Sequence, residues 1–407
     1  MRFDGIKTRI FCGAVLLATR LFADTIPAGT ELNIRLTENV ASETAKAHTP
    51  VHAVLVAPVV IDGKVVLPLG VQLTGEVAQA KAGNGKERAE LQLVFNQITG
   101  GVYRTAISAI VGSLDNARES VDEKGVITGI DASETFSSRI DQGIAKLGAN
   151  EKLSGLAGVI EAAKEQLKIQ DANPNIDYDS GAELTLRLTA PLDWRGTAEG
   201  PESKLQPFPN ETALVDLVVH QPFRTVAEKP PRPSDITNIM FVGTEAELRQ
   251  AFEKAGWSPA ARLSAESKLE TARALIEARG YKEGPMSVLL LDGKPPDMAW
   301  QKGNNTFAQR HHLRVFRRPG TFAGKPIWVC SSTHDTGIDF SERDRTFIHR
   351  IDPEIDKERA KVVSDFLFTG MVRSLAIVER PEIPRDLTNA TGDPLRTDGN
   401  MAVLLLQ

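Results

Sequence analysis

The sequence predicts a multidomain protein with an N-terminal all-β barrel or sandwich carrying a helical insertion, followed by a C-terminal α/β domain. Three observations predict it. Short strands of period two crowd residues 25 to about 112. One strand phrase, Gly29-Thr30-Glu31-Leu32-Asn33-Ile34-Arg35-Leu36-Thr37, returns as Gly181-Ala182-Glu183-Leu184-Thr185-Leu186-Arg187-Leu188-Thr189. From residue 236, capped helices alternate with short apolar strands. A chain of 407 residues also exceeds one ordinary core, so more than one domain is expected.

Taken in order, the first 23 residues have the pattern of a secretory signal peptide. Arg2, Lys7 and Arg9 precede the apolar run Ile10–Thr19, and Leu21-Phe22-Ala23 ends on a small residue. The apolar run is too short to span a bilayer, the alternative being an uncut anchor. Export to the periplasm or cell envelope follows as an expectation. Once the peptide is removed, Cys330 is the single cysteine, which excludes an intrachain disulfide, and it reads as a small buried hydrophobe. No later stretch reaches 18 consecutive apolar residues, so no transmembrane helix is expected in the mature chain.

Within 25–194, Leu32, Ile34 and Leu36 alternate with polar residues, and Val51–Val60 is a longer apolar stretch. Asp62-Gly63 is a hairpin turn signal, and strands follow at Val71–Val77, Ala89–Ile98 and Tyr103–Val111. The repeated phrase suits first and last strands that pair to close a sheet. Between them, Gly143 to Lys168 is Ala- and Gly-rich with a helical pattern, as expected of one or two inserted helices.

Residues 195–235 read as a Pro-rich linker that holds the domains apart, with a small strand near Leu214–Val219. In the α/β domain, 236–375, Ile239–Val242 is a short buried strand. Thr244 and Glu247 form a capping box for a helix ending at Gly256, and a second helix runs from Ser264 to Arg279. Strands are expected at Ser287–Leu291, His311–Phe316 and Ile327–Ser332. A helix over 353–368 buries Val362, Val363, Phe366 and Leu367. Residues 376–407 read as a C-terminal tail, with Val403–Leu406 a short strand or ordered segment.

The chemistry-bearing residues concentrate late in the chain. Four of the seven histidines, His311, His312, His334 and His349, fall within 39 residues, and residues 300–350 carry nine Lys or Arg against four Asp or Glu in a chain of net charge −5. Such a segment in an acidic protein points to a pocket for an anion, or for a metal that handles one. The overall balance argues against nucleic acid as a partner. Strand alternation puts Arg310, His312 and Arg314 on one polar face and His311 toward the core. Lys302, Arg310, Arg314 and Arg350 are candidate anion-binding residues. His312, His334 and Asp335 are candidate acid–base or nucleophilic groups. His312, His334 and His349 are a candidate set for a divalent metal.

No spacing matches H-E-x-x-H, C-x-x-C, Walker A or G-x-S-x-G. Structural roles compete with each functional one. His311 suits a hydrogen-bonded core position, Asp352 before Pro353 suits a helix N-cap, Glu354–Arg359 suits a solvated face, and Arg317-Arg318 suits an exposed turn.

Two family resemblances follow. Ile26-Pro27-Ala28-Gly29-Thr30, Pro58-Val59-Val60-Ile61-Asp62-Gly63 and Leu67-Pro68-Leu69-Gly70-Val71 resemble the TrbI-type barrel of conjugation and type IV secretion channels, over roughly 25–194. That resemblance implies a β-barrel and an envelope location, without implying channel activity. The second rests on Pro295–Lys302, Arg310-His311-His312-Leu313-Arg314, Ile327-Trp328-Val329, Thr333-His334-Asp335-Thr336-Gly337 and His349–Arg359, with Asn238–Val242 and Gly256-Trp257 before them. These resemble the LssY C-terminal domain over about 230–375. The resemblance implies an association with secretion loci and with proteins in which this domain is fused to membrane phosphatase-type modules. It supplies no activity for the domain itself.

The expected function is therefore an exported envelope protein whose second domain binds an anionic small molecule or envelope component. The alternative is a phosphoesterase-type hydrolase, with a divalent metal as an optional cofactor. Substrate and oligomeric state stay open.

Overall fold

A computed structural model describes residues 24–407, apart from 85–86, 150–153, 197–198, 262–263, 282–283, 285, 304–305, 307 and 342–345. The signal-peptide expectation falls on residues 1–23 and lies outside the described residues.

The N-terminal half is the expected barrel. Its strands are Glu31–Leu36 (β1), Pro50–Leu55 (β2), Gln72–Lys81 (β3), Glu90–Gly100 (β4), Tyr103–Leu114 (β5) and Glu183–Leu188 (β6). They hydrogen-bond in the order β4-β3-β2-β1-β6-β5, and β5 pairs back onto β4 to close the cylinder. The repeated phrase does what its repetition suggested. Leu32 faces Leu186 and Ile34 faces Leu184 across an antiparallel pair, and all four side chains are buried. Period-two alternation explains the core, because the inward residues are mainly apolar, as Leu32, Ile34 and Leu36 of β1 and Leu91, Leu93 and Phe95 of β4 are. At the tip of the Val59–Ile61/Lys64–Leu67 hairpin, Asp62 and Gly63 have φ of 51° and 75°, the two positive values that a type I′ turn requires. The inserted segment forms two helices, Phe136–Gly148 (α1) and Ser154–Gln166 (α2), the first capped by Thr135.

The C-terminal half is built on a mixed sheet. Its strands are Ile239–Val242 (β7), Ser258–Pro259 (β8), Met298–Gly303 (β9), Arg310–Phe322 (β10), Lys325–Ser341 (β11), Thr346–Ile351 (β12), Val372–Val378 (β13) and Met401–Leu406 (β14). The order is β8-β9-β10-β11-β7-β14-β13, with β12 added to the far half of β11. Among the described strands of this sheet, only β7 and β14 run parallel. Apolar side chains on both faces of β7 and β14 explain their interior position, since helices and loops cover both sides. On one face, Ile239, Phe241, Leu313 and Trp328 pack with Leu248 and Phe252 of Glu245–Lys254 (α3) and with Val362 and Phe366 of Ile355–Phe368 (α4). On the other, Met240, Val242, Val329 and Val403 pack with Leu214 and Val218 of Glu211–Val219, the helix preceding the domain. The capping box of Thr244 and Glu247 is present as expected.

Four expectations are corrected. The tail is no tail: all six residues of β14 are buried in an interior strand between β7 and the edge strand β13, so the C-terminal unit extends through Leu406. Leu214–Val219 is helical, with Asn210 as N-cap, and it belongs to the C-terminal core rather than to the barrel. The Pro-rich segment does not hold the halves apart. Its strands Arg224–Ala227 and Arg232–Ile236 pair as a hairpin, and Leu69 of the barrel is buried within the same apolar core as the C-terminal sheet. The helix after Pro353 begins two residues past the expected boundary, and Asp352 is not its N-cap: Glu354 holds that place without a side-chain cap bond, while Asp352 Oδ1 accepts from Glu354 N in the turn before the helix.

Candidate functional site

Strands β9, β10 and β11 are aligned so that Lys302, His311 and His334 lie in one cross-strand row and Gln301, His312 and Thr333 in the next. Side chains of adjacent rows point to opposite faces. The histidine cluster is therefore two clusters, one on each side of the sheet.

The first row faces the barrel. Lys302 Nζ donates to Glu183 Oε1 at 2.5 Å and to Asp365 Oδ2 at 3.1 Å. Arg35 Nη2 donates to the same Glu183 oxygen at 2.6 Å and to Asp365 Oδ1 at 3.3 Å, while Lys361 Nζ lies 2.6 Å from Glu183 Oε2. Trp257 Nε1 adds a bond to Asp365 Oδ2 at 2.9 Å. Glu183 and Arg35 come from paired barrel strands β6 and β1, whereas Lys302, Lys361 and Asp365 come from the C-terminal half. Burial opposes the Glu183 carboxylate, yet Lys302, Lys361 and Arg35 outweigh it and hold its pKa well below the usual range.

Beside this network, His311 Nδ1 is 2.6 Å from Glu358 Oε2 and its Nε2 is 2.9 Å from Asp115 Oδ2. Burial favours neutral imidazole, but Asp115 and Glu358 prevail and raise the His311 pKa to about 10. The His334 ring stacks on it with centroids 4.3 Å apart, and His334 Nε2 is 2.7 Å from Asn116 Oδ1. Burial, followed by the neighbouring His311 charge, lowers the His334 pKa. Asn116 follows the end of β5 with φ of 52°, a left-handed conformation that asparagine tolerates.

The second row faces away. His312 Nε2 is 2.8 Å from Asp335 Oδ1; Arg310 Nε donates to Asp335 Oδ2 at 3.1 Å and Arg310 Nη1 to Gln301 Oε1 at 2.8 Å. His349 Nδ1 of β12 lies 3.2 Å from Asp335 Oδ2. Burial would raise the Asp335 pKa, but His312, His349 and Arg310 hold it well below the carboxylate range. Arg314 Nη2 donates to Ser287 O at 3.0 Å and its Nη1 to Asp235 Oδ2 at 3.4 Å.

The candidate residues are therefore redistributed. Arg310, His312, Asp335 and His349 do come together; strand alternation had placed Arg310 and His312 on one face, but not Asp335 or His349 with them. His334 does not join them, because its register partner is His311; the candidate metal set His312, His334 and His349 is split between two faces. The four-residue anion clamp is also dispersed. Lys302 sits on the barrel side, Arg310 and Arg314 are buried on internal partners, and Arg350 is on the surface bonded to Asp393 and Asp339. Asp335 lies within β11, which runs well past the expected strand end at Ser332.

Glu358 and Arg359 are buried rather than solvated, with Arg359 Nη1 donating to Asp398 Oδ1 at 2.7 Å. Arg317 and Arg318 lie in β10, not in a turn, and the Arg317 guanidinium sits 5.1 Å over the Trp328 ring. Asp115, Asn116, Glu183, Arg35, Lys361 and Asp365 had no distinguishing sequence signal. Glu183, for example, occupies the same place in the repeated phrase as the exposed Glu31.

Comparison with known proteins bears on half of this arrangement. Residues 221–401 match the family model described as LssY C-terminus, which takes in both histidine rows and Glu358 but none of the barrel groups that meet them. Among solved structures, ComB10 of the Com type IV secretion system of Helicobacter pylori is similar at 12% identity, covering 42% of this chain and 89% of that one, with a TM-score of 0.23. A likeness that weak carries no argument. No curated protein matches the chain. No described helix is long and apolar enough to cross a membrane.

Proposed function

We propose that this protein is an exported, non-catalytic component of the bacterial cell envelope, associated with secretion, in which an LssY-like domain and a barrel act as one interlocked binding unit. One observation carries the reading. Lys302, Arg310 and Arg314, the cations best placed by sequence to grip a substrate phosphate, are all buried and already bonded to internal oxygens. Stripping a buried cation of its partner costs about 3–5 kcal/mol, so these groups serve assembly better than turnover. Any anionic small molecule or envelope component would then be met on the outer surface. The pattern of the first 23 residues supports export, and the TrbI-type turn phrases support an envelope setting.

Cell fractionation tests the localisation. The tagged protein is expected in the periplasmic or envelope fraction, and in the cytoplasm when residues 2–23 are deleted; equal distribution of both forms would defeat it. A phosphoester panel tests the absence of catalysis, with no turnover expected that His312→Ala removes. The phosphoesterase alternative keeps one point in its favour, the convergence of His312, His349 and Arg310 on Asp335. Turnover dependent on His312 would establish that alternative and end the non-catalytic reading.

A further inference from the structure

The row of histidines that faces the barrel has a donor arrangement that an ion-pair lock does not require. Ligating atoms of Asp115, His311 and His334 all lie within 4.8 Å of one another. Glu358 occupies His311 Nδ1 at 2.6 Å, which leaves Nε2, the nitrogen beside Asp115, as the outward donor. A carboxylate behind the second ring nitrogen is the usual outer partner of a metal-bound histidine, because it fixes the tautomer and the ring plane.

The second oxygen of that carboxylate, Glu358 Oε1, is buried and has no hydrogen-bond partner among the described residues. Unpaired buried oxygens are costly, and a nearby cation offsets that cost. Asn116 Oδ1 accepts from His334 Nε2 at 2.7 Å, which fixes the tautomer of that ring and makes Nδ1 its ligating nitrogen.

Two imidazoles and one carboxylate suit a borderline cation such as zinc better than magnesium or calcium, which prefer all-oxygen shells. Tetrahedral zinc with ligands near 2.0–2.1 Å needs donors about 3.3 Å apart, a spacing between the 2.9 Å from His311 Nε2 to Asp115 Oδ2 and the 4.8 Å limit of the set, so the side chains must adjust to receive it. Asp115 and His334, both less buried than His311, can rotate to do so.

We propose that Asp115, His311 and His334 form a structural zinc site joining the barrel to the C-terminal sheet, with Glu358 as the outer partner of His311. Asp115 follows barrel strand β5 and the histidines lie on β10 and β11, so the ion ties the two halves together directly. The site goes beyond the proposed function and stands whether or not the protein turns over a substrate.

The test uses the purified full chain, stripped with chelator and titrated with zinc alone. The expected result is about one tightly bound zinc per chain, since a single site is proposed. X-ray absorption on the wild-type complex should show two imidazole nitrogens. Asp115→Asn and His334→Gln should each weaken binding at least about 100-fold, and Glu358→Gln about 10–100-fold. His349→Gln, on the opposite face, should leave binding unchanged. Absence of stoichiometric binding, a spectrum with fewer than two imidazoles, or a loss in His349→Gln equal to that in His334→Gln would overturn the proposal. If a ligand variant does not fold, the wild-type spectrum decides alone.

Discussion

Lys302 of the C-terminal sheet and Glu183 of the strand that closes the barrel meet at 2.5 Å, with their side chains only 8% and 7% exposed. Their separation of 119 residues makes the pair a direct measure of docking between the halves. Arg35 and Lys361 share the Glu183 carboxylate, and Asp365 is the remaining anion of the group.

Replacing Glu183 should therefore cost more than replacing any one of its cations. Glu183→Ala leaves Arg35, Lys302 and Lys361 around Asp365 alone, with an expected loss of about 3–5 kcal/mol. Lys302→Ala should cost less, because Glu183 keeps Arg35 and Lys361. Urea unfolding of both variants checks the order, and an equal or reversed ranking would refute the shared-carboxylate account.

His311 predicts a pH dependence whose sign is opposite to acid denaturation. Its pKa rises from 6.5 to about 10 on folding through Asp115 and Glu358. The stabilisation is then complete below pH 6.5 and is lost as pH climbs through about 10. In chelator-treated protein, the melting temperature should fall between pH 7 and pH 10, and His311→Gln should flatten that fall. A wild-type profile as flat as the variant's would remove His311 from the balance.

Asp335 predicts the converse. Its depressed pKa means that its contribution is present above the ordinary carboxylate range and is lost as pH falls below it. Asp335→Asn removes the charge that Arg310, His312 and His349 share, and should destabilise the protein by about 3–5 kcal/mol at neutral pH. The wild type and the variant should converge in stability on acidification. Parallel curves down to acid pH would contradict this.

Strand β14 makes a plainer prediction. Met401–Leu406 lies between β7 and β13 with every residue buried. Truncation after residue 400 should abolish cooperative unfolding of the C-terminal half, whereas Leu404→Ala should fold with a loss of about 2–5 kcal/mol. Near-UV circular dichroism of the truncated chain checks the first statement, and native tertiary signal there would show that the strand is dispensable.

Residues with local signatures were legible. Asp62-Gly63 announces its turn, Thr244 and Glu247 their cap, and Leu32, Ile34 and Leu36 their inward face, because each signal is contained within a few residues. The division of Arg310, His312 and Arg314 from His311 was legible for the same reason. Placement of His334 was not, since it depends on which residue of β10 stands opposite, and a shift of one residue exchanges the faces.

By itself, the sequence determined the two structural classes, the repeated strand that seals the barrel, and the segment rich in groups able to carry charge. Only the tertiary structure decided what those groups face. Arg35 and Asp365 are 330 residues apart, and Asp115 and His311 are 196 apart. Contacts so distant leave no trace in local spacing, because they exist only once the barrel has closed and docked. Burial then compels each charge to find its partner across that junction.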